Sequence, residues 1–147
     1  MSDTCMNHLE RYWKTLTTSS NEQFNQQNYL EALEGYKEAL YRAEVLNKHW
    51  EQCSRLKIPV IQVYLISCNN VAYTYEELGD LEKAQAFLKR AIYFLIHLIE
   101  EDQLLGQNIQ GELKRALLTY VDFTKRTQFT TPRDTTFNDL VNTVIQS

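Results

Sequence analysis

Glycine and proline are scarce in this sequence, with 4 and 2 copies among 147 residues. Folds that depend on many tight turns need more of both, because glycine supplies positive backbone φ angles and proline fixes turns. The hydrophobic fraction is 44%, which is high enough for one domain of this length to bury a substantial core. These features favour an all-α protein of a single domain.

Other absences limit the class of protein further. Three cysteines, without framework spacing, predict free thiols in a reducing compartment. The longest apolar cluster, residues 92–99, is too short to span a membrane and contains a histidine. The first five residues lack the basic and apolar regions of a signal peptide. The net charge of −4 argues against a nucleic-acid binder, which would need a basic face. We therefore expect a cytoplasmic protein that binds neither nucleic acid nor membranes.

Apolar residues recur at three- and four-residue intervals along most of the chain, and this pattern predicts helices. Residues 15–21 are polar and β-branched, so we expect the first helix to fray or bend there. Pro59 is expected in the first turn of the third helix, and Thr131-Pro132 gives a start signal for the last. The six predicted helices cover approximately residues 3–27, 29–55, 59–78, 81–101, 109–126 and 131–146.

A Gly-Asp pair separates two amphipathic helices within residues 69–92. Gly79 can adopt the left-handed conformation that ends the first helix, and Asp80 can cap the second. Small residues on both sides allow the two helices to approach closely; they are Ala72, Ala84 and Ala91. This arrangement resembles one unit of the tetratricopeptide repeat (TPR), a helix-turn-helix solenoid module.

Residues 28–40 match residues 80–92 almost position by position, with Ala32 and Ala39 at the places of the later alanines. The two matches are 52 residues apart, whereas the standard repeat is about 34 residues long. Longer helices account for the difference. The resemblance implies a right-handed superhelical solenoid of three antiparallel hairpins within one domain, 1–147. The hairpins are expected at about residues 3–55, 59–103 and 109–146, and a four-helix-type bundle is the alternative fold.

The sequence contains no phosphate-binding loop, nucleophile elbow or HExxH motif. We therefore predict a protein that is not an enzyme and that has no cofactor.

One cluster offers a different function. Cys5 and His8 are three residues apart, and His49 and Cys53 are four apart, so each pair lies on one helix face. If the first hairpin closes, the two pairs meet at its open end with the ligands that zinc prefers. A metal-dependent regulator is thus the alternative function.

In a solenoid of this type, the first helix of each hairpin lines the concave groove. Asparagine can pair with a peptide backbone, and a Lys-Arg pair can hold a carboxylate. The same residues would also suit an ordinary solvated surface. The predicted partner-binding residues are Lys14, Thr17, Asn21, Asn69, Asn70, Tyr73, Lys114 and Arg115.

Some TPR proteins hold the carboxy-terminal carboxylate of heat-shock chaperones with two Lys, two Asn and one Arg. By position, this resemblance places the asparagines at Asn21 and Asn70 and the arginine at Arg115. The two lysine positions fall on Thr17 and Gly111, so the pattern is incomplete.

The resemblance implies a protein-interaction module, an adaptor or small chaperone, that binds a peptide segment of a protein partner. Self-association as a homodimer is a further possibility, because one face of the last helix carries more apolar residues than one chain can cover. These residues are Phe137, Leu140, Val141, Val144 and Ile145.

Overall fold

A computed structural model of the chain describes residues 1–101, 108–130 and 135–146. Within these ranges every regular element is an α-helix. The helices are α1 (Asp3–Asn25), α2 (Tyr29–Lys48), α3 (Trp50–Arg55), α4 (Val60–Glu77), α5 (Leu81–Glu100), α6 (Ile109–Thr127) and α7 (Thr135–Gln146). Among the described residues, no helix has both the length and the apolar composition needed to cross a bilayer.

The predicted break between α4 and α5 is confirmed. Gly79 has a φ of 82°, a conformation that costs glycine little and other residues more. The backbone N–H of Lys83 donates to the Asp80 carboxylate at 3.2 Å, so Asp80 caps α5. The all-α prediction is also confirmed for the described residues.

Three local predictions differ from the structure. The segment 15–21 does not fray, since α1 continues through it and buries Ser20 at 3% exposure. The second predicted helix divides at His49 into α2 and α3. Pro59 precedes α4 as its N-cap instead of lying in its first turn. The predicted start signal of the last helix, at 131–134, lies outside the described residues.

The chain divides into two compact units, Met1–Ala84 and Gln85–Ser147. In the first unit, α1 packs on α2, and α2 packs on α4. The α1–α2 contact is close because Gly35 has no side chain: a Cβ atom there would lie 2.0 Å from Ser20 Oγ. Three alanines of α2 are at most 1% exposed and continue this contact surface; they are Ala32, Ala39 and Ala43.

In the second unit, α7 packs on α6 through Phe137. The Phe137 ring meets the Tyr120 ring edge-on at 4.9 Å and the Tyr93 ring of α5 at 5.6 Å. Gln85 of α5 is also buried, and its Nε2 donates to the Tyr120 hydroxyl at 3.3 Å. An aromatic cluster therefore joins the three helices of this unit.

Candidate functional site

A cleft of about 280 Å³ lies between α1 and α4, and one side chain of α2 also lines it. We name it the α1–α4 cleft. Its lining residues are Asn21, Phe24 and Asn25 from α1, Tyr36 from α2, and Asn70 and Tyr73 from α4.

A buried hydrogen bond holds α1 beside α4. Trp13 Nε1 donates to Ser67 Oγ at 2.7 Å, and the two residues are only 7% and 1% exposed. Trp13 lies about two helical turns before Asn21, and Ser67 lies about one turn before Asn70. This bond therefore sets the separation of the two helices close to the cleft.

Tyr36 fixes the orientation of an asparagine side chain in the cleft. Its hydroxyl donates to Asn21 Oδ1, so the Asn21 amide nitrogen keeps both of its N–H groups for other partners. Tyr36 is 4% exposed, and burial raises the pKa of its hydroxyl above the usual value. The hydroxyl consequently stays protonated and continues to donate at neutral pH.

The cleft also contains polar groups that the protein itself does not use. Within the described part of the chain, the side chains of Asn25 and Asn70 make no hydrogen bond to another residue. The Asn70 backbone carbonyl, in contrast, accepts from Thr74 Oγ1 at 2.7 Å. Tyr73 is 38% exposed. A partner can therefore pair with these amides without displacing a protein contact.

The structure brings three of the predicted partner-binding residues into one cleft: Asn21, Asn70 and Tyr73. Asn69 is half-buried on α4 but does not line the cleft. Lys14 is exposed and lies 3.9 Å from the Glu10 carboxylate. Thr17 Oγ1 is buried and has no hydrogen-bond partner among the described residues, so this hydroxyl does not face a ligand.

Lys114 and Arg115 are exposed on α6, in the second unit. Arg115 pairs with the Glu112 carboxylate one turn earlier in the same helix. That Lys114 and Arg115 share a groove with Asn21 and Asn70 remains a prediction.

Sequence reasoning missed the role of Tyr36. Its place on the apolar stripe of α2 indicated a core residue, and the ring is indeed buried. The available signal was the hydroxyl itself, because a buried tyrosine usually finds a hydrogen-bond partner, whereas phenylalanine needs none.

The Cys5/His8/His49/Cys53 cluster does not assemble. Among the described residues, which include all four, no group of three or more His, Cys, Asp or Glu side chains could hold a metal ion. Cys53 is fully buried, and its Sγ lies 3.5 Å from the Leu46 carbonyl oxygen, whereas Cys5 is exposed. Burial, with a smaller effect of Glu10, raises the pKa of the Cys53 thiol to about 11. Metal ligation needs the thiolate, which this environment disfavours.

Other residues join the start of the chain to α3 at the open end of the first hairpin. Arg55 holds Asp3 with two hydrogen bonds of 2.9 and 3.0 Å. Gln52 Nε2 donates to Asp3 Oδ1 and to the Met1 carbonyl oxygen, both at 2.8 Å. A larger hollow of about 550 Å³ lies here, and its lining residues are Lys48, His49, Trp50, Glu51, Gln52 and Arg55.

These contacts predict an unusual titration of Asp3. The hydrogen bonds from Arg55 and then Gln52 lower the pKa of its carboxyl from 3.8 to about 2. The stabilising effect of this lowered pKa is complete above pH 3.8 and is lost as the pH falls toward 2. In a carbon-detected NMR titration, we expect a midpoint near 2, and Arg55→Gln should return it toward 3.8. The control Arg11→Gln, at an exposed arginine of α1, should leave it unchanged; a midpoint of 3.8 in the parent protein would contradict the contact.

The sequence model of a family described as "Protein of unknown function (DUF2753)" matches residues 11–142, a range that contains every lining residue of the α1–α4 cleft. No curated protein and no solved structure matches the chain.

Proposed function

The chain belongs to the DUF2753 family, and we propose that it is a non-enzymatic protein-interaction module. In this proposal the α1–α4 cleft binds a peptide segment of a partner protein, and the protein serves as a cytoplasmic adaptor or small chaperone. The observation that carries the proposal is the convergence of three amide side chains and three aromatic rings on one cleft.

The proposed architecture is a TPR-like solenoid of helical hairpins, with the cleft on its concave side. Two contacts within the first unit support it. The Trp13–Ser67 hydrogen bond joins the first helices of two successive hairpins, as stacking of repeats requires. The Gly35–Ser20 contact shows the close helix approach that small residues permit in a hairpin.

The chemistry of the cleft supports peptide recognition. An amide side chain can donate to a backbone carbonyl and accept from a backbone N–H at the same time. Aromatic side chains supply large contact areas with few rotatable bonds, and they are enriched where proteins bind proteins. Asn21, Asn70 and Tyr73 would thus form the centre of the binding site.

Asn70→Ala tests this proposal. We expect it to weaken partner binding by about 1–3 kcal/mol, the cost of leaving the partner's polar groups unpaired. Folding should change little, because the Asn70 side chain makes no hydrogen bond to another described residue. The parent protein, Asn70→Ala and the control Asn7→Ala are each used to capture partners from native cell extract, and calorimetry then gives the affinity for the partner that the parent captures. The proposal fails if Asn70→Ala binds as tightly as Asn7→Ala, whose substitution lies at an exposed position of α1.

Homodimer formation remains a separate proposal. In α7, Phe137 and Val141 are buried, whereas Leu140 is 38% exposed. Leu140 is therefore an apolar residue of this face that a second copy could cover, and the side chain of Ile145 lies outside the described residues. Light scattering of the parent protein and Leu140→Ser distinguishes a dimer from a monomer.

A further inference from the structure

All six side chains that line the α1–α4 cleft are uncharged. Three are asparagine amides, and three are aromatic rings. Lys14, the lysine of α1 in the predicted groove, does not line the cleft and lies 3.9 Å from Glu10. A carboxylate that entered the cleft would lose water without gaining a positive partner, which is unfavourable.

The hydrogen-bonding capacity of the cleft is suited to a neutral backbone. Asn21 offers N–H groups, since its carbonyl oxygen already accepts from Tyr36. Asn25 and Asn70 each offer a donor and an acceptor. A peptide bond inside a chain presents one C=O and one N–H, so these amides can satisfy both groups of the same residue.

The volume of the cleft and its aromatic rings indicate which kind of side chain the bound peptide carries. A volume of about 280 Å³ lies just below the range of roughly 300–1,000 Å³ for small-molecule pockets. It suits one large side chain rather than a cofactor. Phe24 is held in place by an edge-on contact of 5.1 Å with Tyr29, and Tyr73 is accessible. Rings arranged in this way favour an aromatic side chain through stacked or edge-on contacts.

We infer that the α1–α4 cleft selects an internal, uncharged peptide segment with an aromatic side chain and discriminates against a free carboxy terminus. This inference rests on the proposed function and specifies its ligand. It differs from the carboxylate-holding pattern of the TPR proteins described above, in which lysines supply the positive charge.

Two probes that differ only in charge test the inference on the full chain. N-acetylphenylalanine amide ends in a neutral amide, and N-acetylphenylalanine ends in a carboxylate at pH 7. Each is titrated into ¹⁵N-labelled protein while the side-chain NH₂ signals of Asn21, Asn25 and Asn70 are followed by NMR. We expect the neutral probe to shift these signals with an affinity at least about tenfold higher than the charged probe, a difference of about 1.4 kcal/mol.

A variant with an added charge gives the matched control. Asn25→Lys places a cation at the rim of the cleft, at the last residue of α1, where a positive charge suits the helix end. It should improve binding of the charged probe by about tenfold through a new ion pair and leave the neutral probe nearly unchanged. The backbone amide spectrum of the variant shows whether it is folded, and Asn21→Lys serves as the second variant if it is not.

The possible outcomes separate the inference from the proposed function. If the parent protein binds the charged probe as well as or better than the neutral one at these signals, the inference is overturned, but peptide binding in the cleft stands. If neither probe shifts them, both fail. If the signals change with protein concentration in the absence of a probe, the cleft is a contact between two copies of the chain, and the inference is also overturned.

Discussion

Replacing Trp13 with alanine should lower the free energy of unfolding by about 3–5 kcal/mol, the range for removal of a large buried aromatic side chain. Trp13 is 7% exposed and makes the buried hydrogen bond between α1 and α4. The substitution removes the ring and also leaves the Ser67 hydroxyl, at 1% exposure, without its donor. Urea denaturation followed by circular dichroism gives the change in stability, and amide hydrogen exchange locates it.

Trp50→Ala is the matched control, because Trp50 lies half-buried on the short helix α3, beside the open hollow at the end of the first hairpin. Trp50→Ala should lower the free energy of unfolding distinctly less than Trp13→Ala does. Trp13→Phe should cost about 1–3 kcal/mol for the unsatisfied hydroxyl, and adding Ser67→Ala should recover part of this loss. Equal losses for the two alanine variants would contradict a special role of Trp13 between α1 and α4.

Replacing Phe137 with alanine should have a similarly large effect, about 3–5 kcal/mol, confined to the second unit. Phe137 is 6% exposed and meets the rings of Tyr93 and Tyr120, and the Lys89 ammonium lies 4.9 Å from its ring centre. Loss of the ring opens a cavity and removes both edge-on contacts. Hydrogen exchange should show that the amides of α7 lose their protection first.

Leu140→Ala provides the control for Phe137→Ala, since Leu140 is on the same helix but 38% exposed. Its removal should cost less than about 1 kcal/mol, as for most surface changes. If the two variants are equally stable, or if the amides of α7 exchange as fast in the parent protein as in Phe137→Ala, the packing of α7 described above is wrong.

The sequence was most informative where one local rule decided the conformation. The Gly79-Asp80 break and its cap followed from the positive φ that glycine permits and from the preference of aspartate for N-caps. The helices could be predicted from the 3.6-residue period to within a few residues. Ala32 and Ala39, matched in the sequence to the later alanines, are also buried in α2.

Other turns gave no such signal. Gln27, Lys57 and Gln128 have φ angles of 65°, 62° and 56°, which non-glycine residues rarely adopt. All three lie exposed at the ends of α1, α3 and α6. Local backbone hydrogen bonds close these helix ends, from Asn28 N–H to Gln23 O, Ile58 N–H to Cys53 O and Gln128 N–H to Thr124 O. Without a glycine at the left-handed position, the sequence carried no signal for these C-caps. The interruption of α2 at His49 has no glycine or proline beside it either, and the zinc hypothesis depended on a continuous helix at that point.

The candidate site could be predicted only in part. The resemblance to the repeat implied a groove with Asn21, Asn70 and Tyr73, and these three residues line the cleft. The sequence could not predict the hydrogen bond between Trp13 and Ser67, which are 54 residues apart, or the one between Tyr36 and Asn21. Such bonds depend on how the two helices are rotated relative to each other. Residues 15–21 are helical despite their weak helix propensity. We attribute this to tertiary packing, since Ser20 is buried against Gly35 of α2.

Site-specific photocrosslinking in native cells tests most directly whether the α1–α4 cleft binds a partner. A photoreactive phenylalanine analogue replaces Tyr73 in the cleft or, as the control, Tyr41, which is 62% exposed on α2 and does not line the cleft. We expect the analogue at position 73 to crosslink one defined protein through an internal peptide, and Asn70→Ala in the same chain to reduce the yield. Equal crosslinking of that protein from position 41, or an adduct from position 41 and none from position 73, would contradict binding in the α1–α4 cleft.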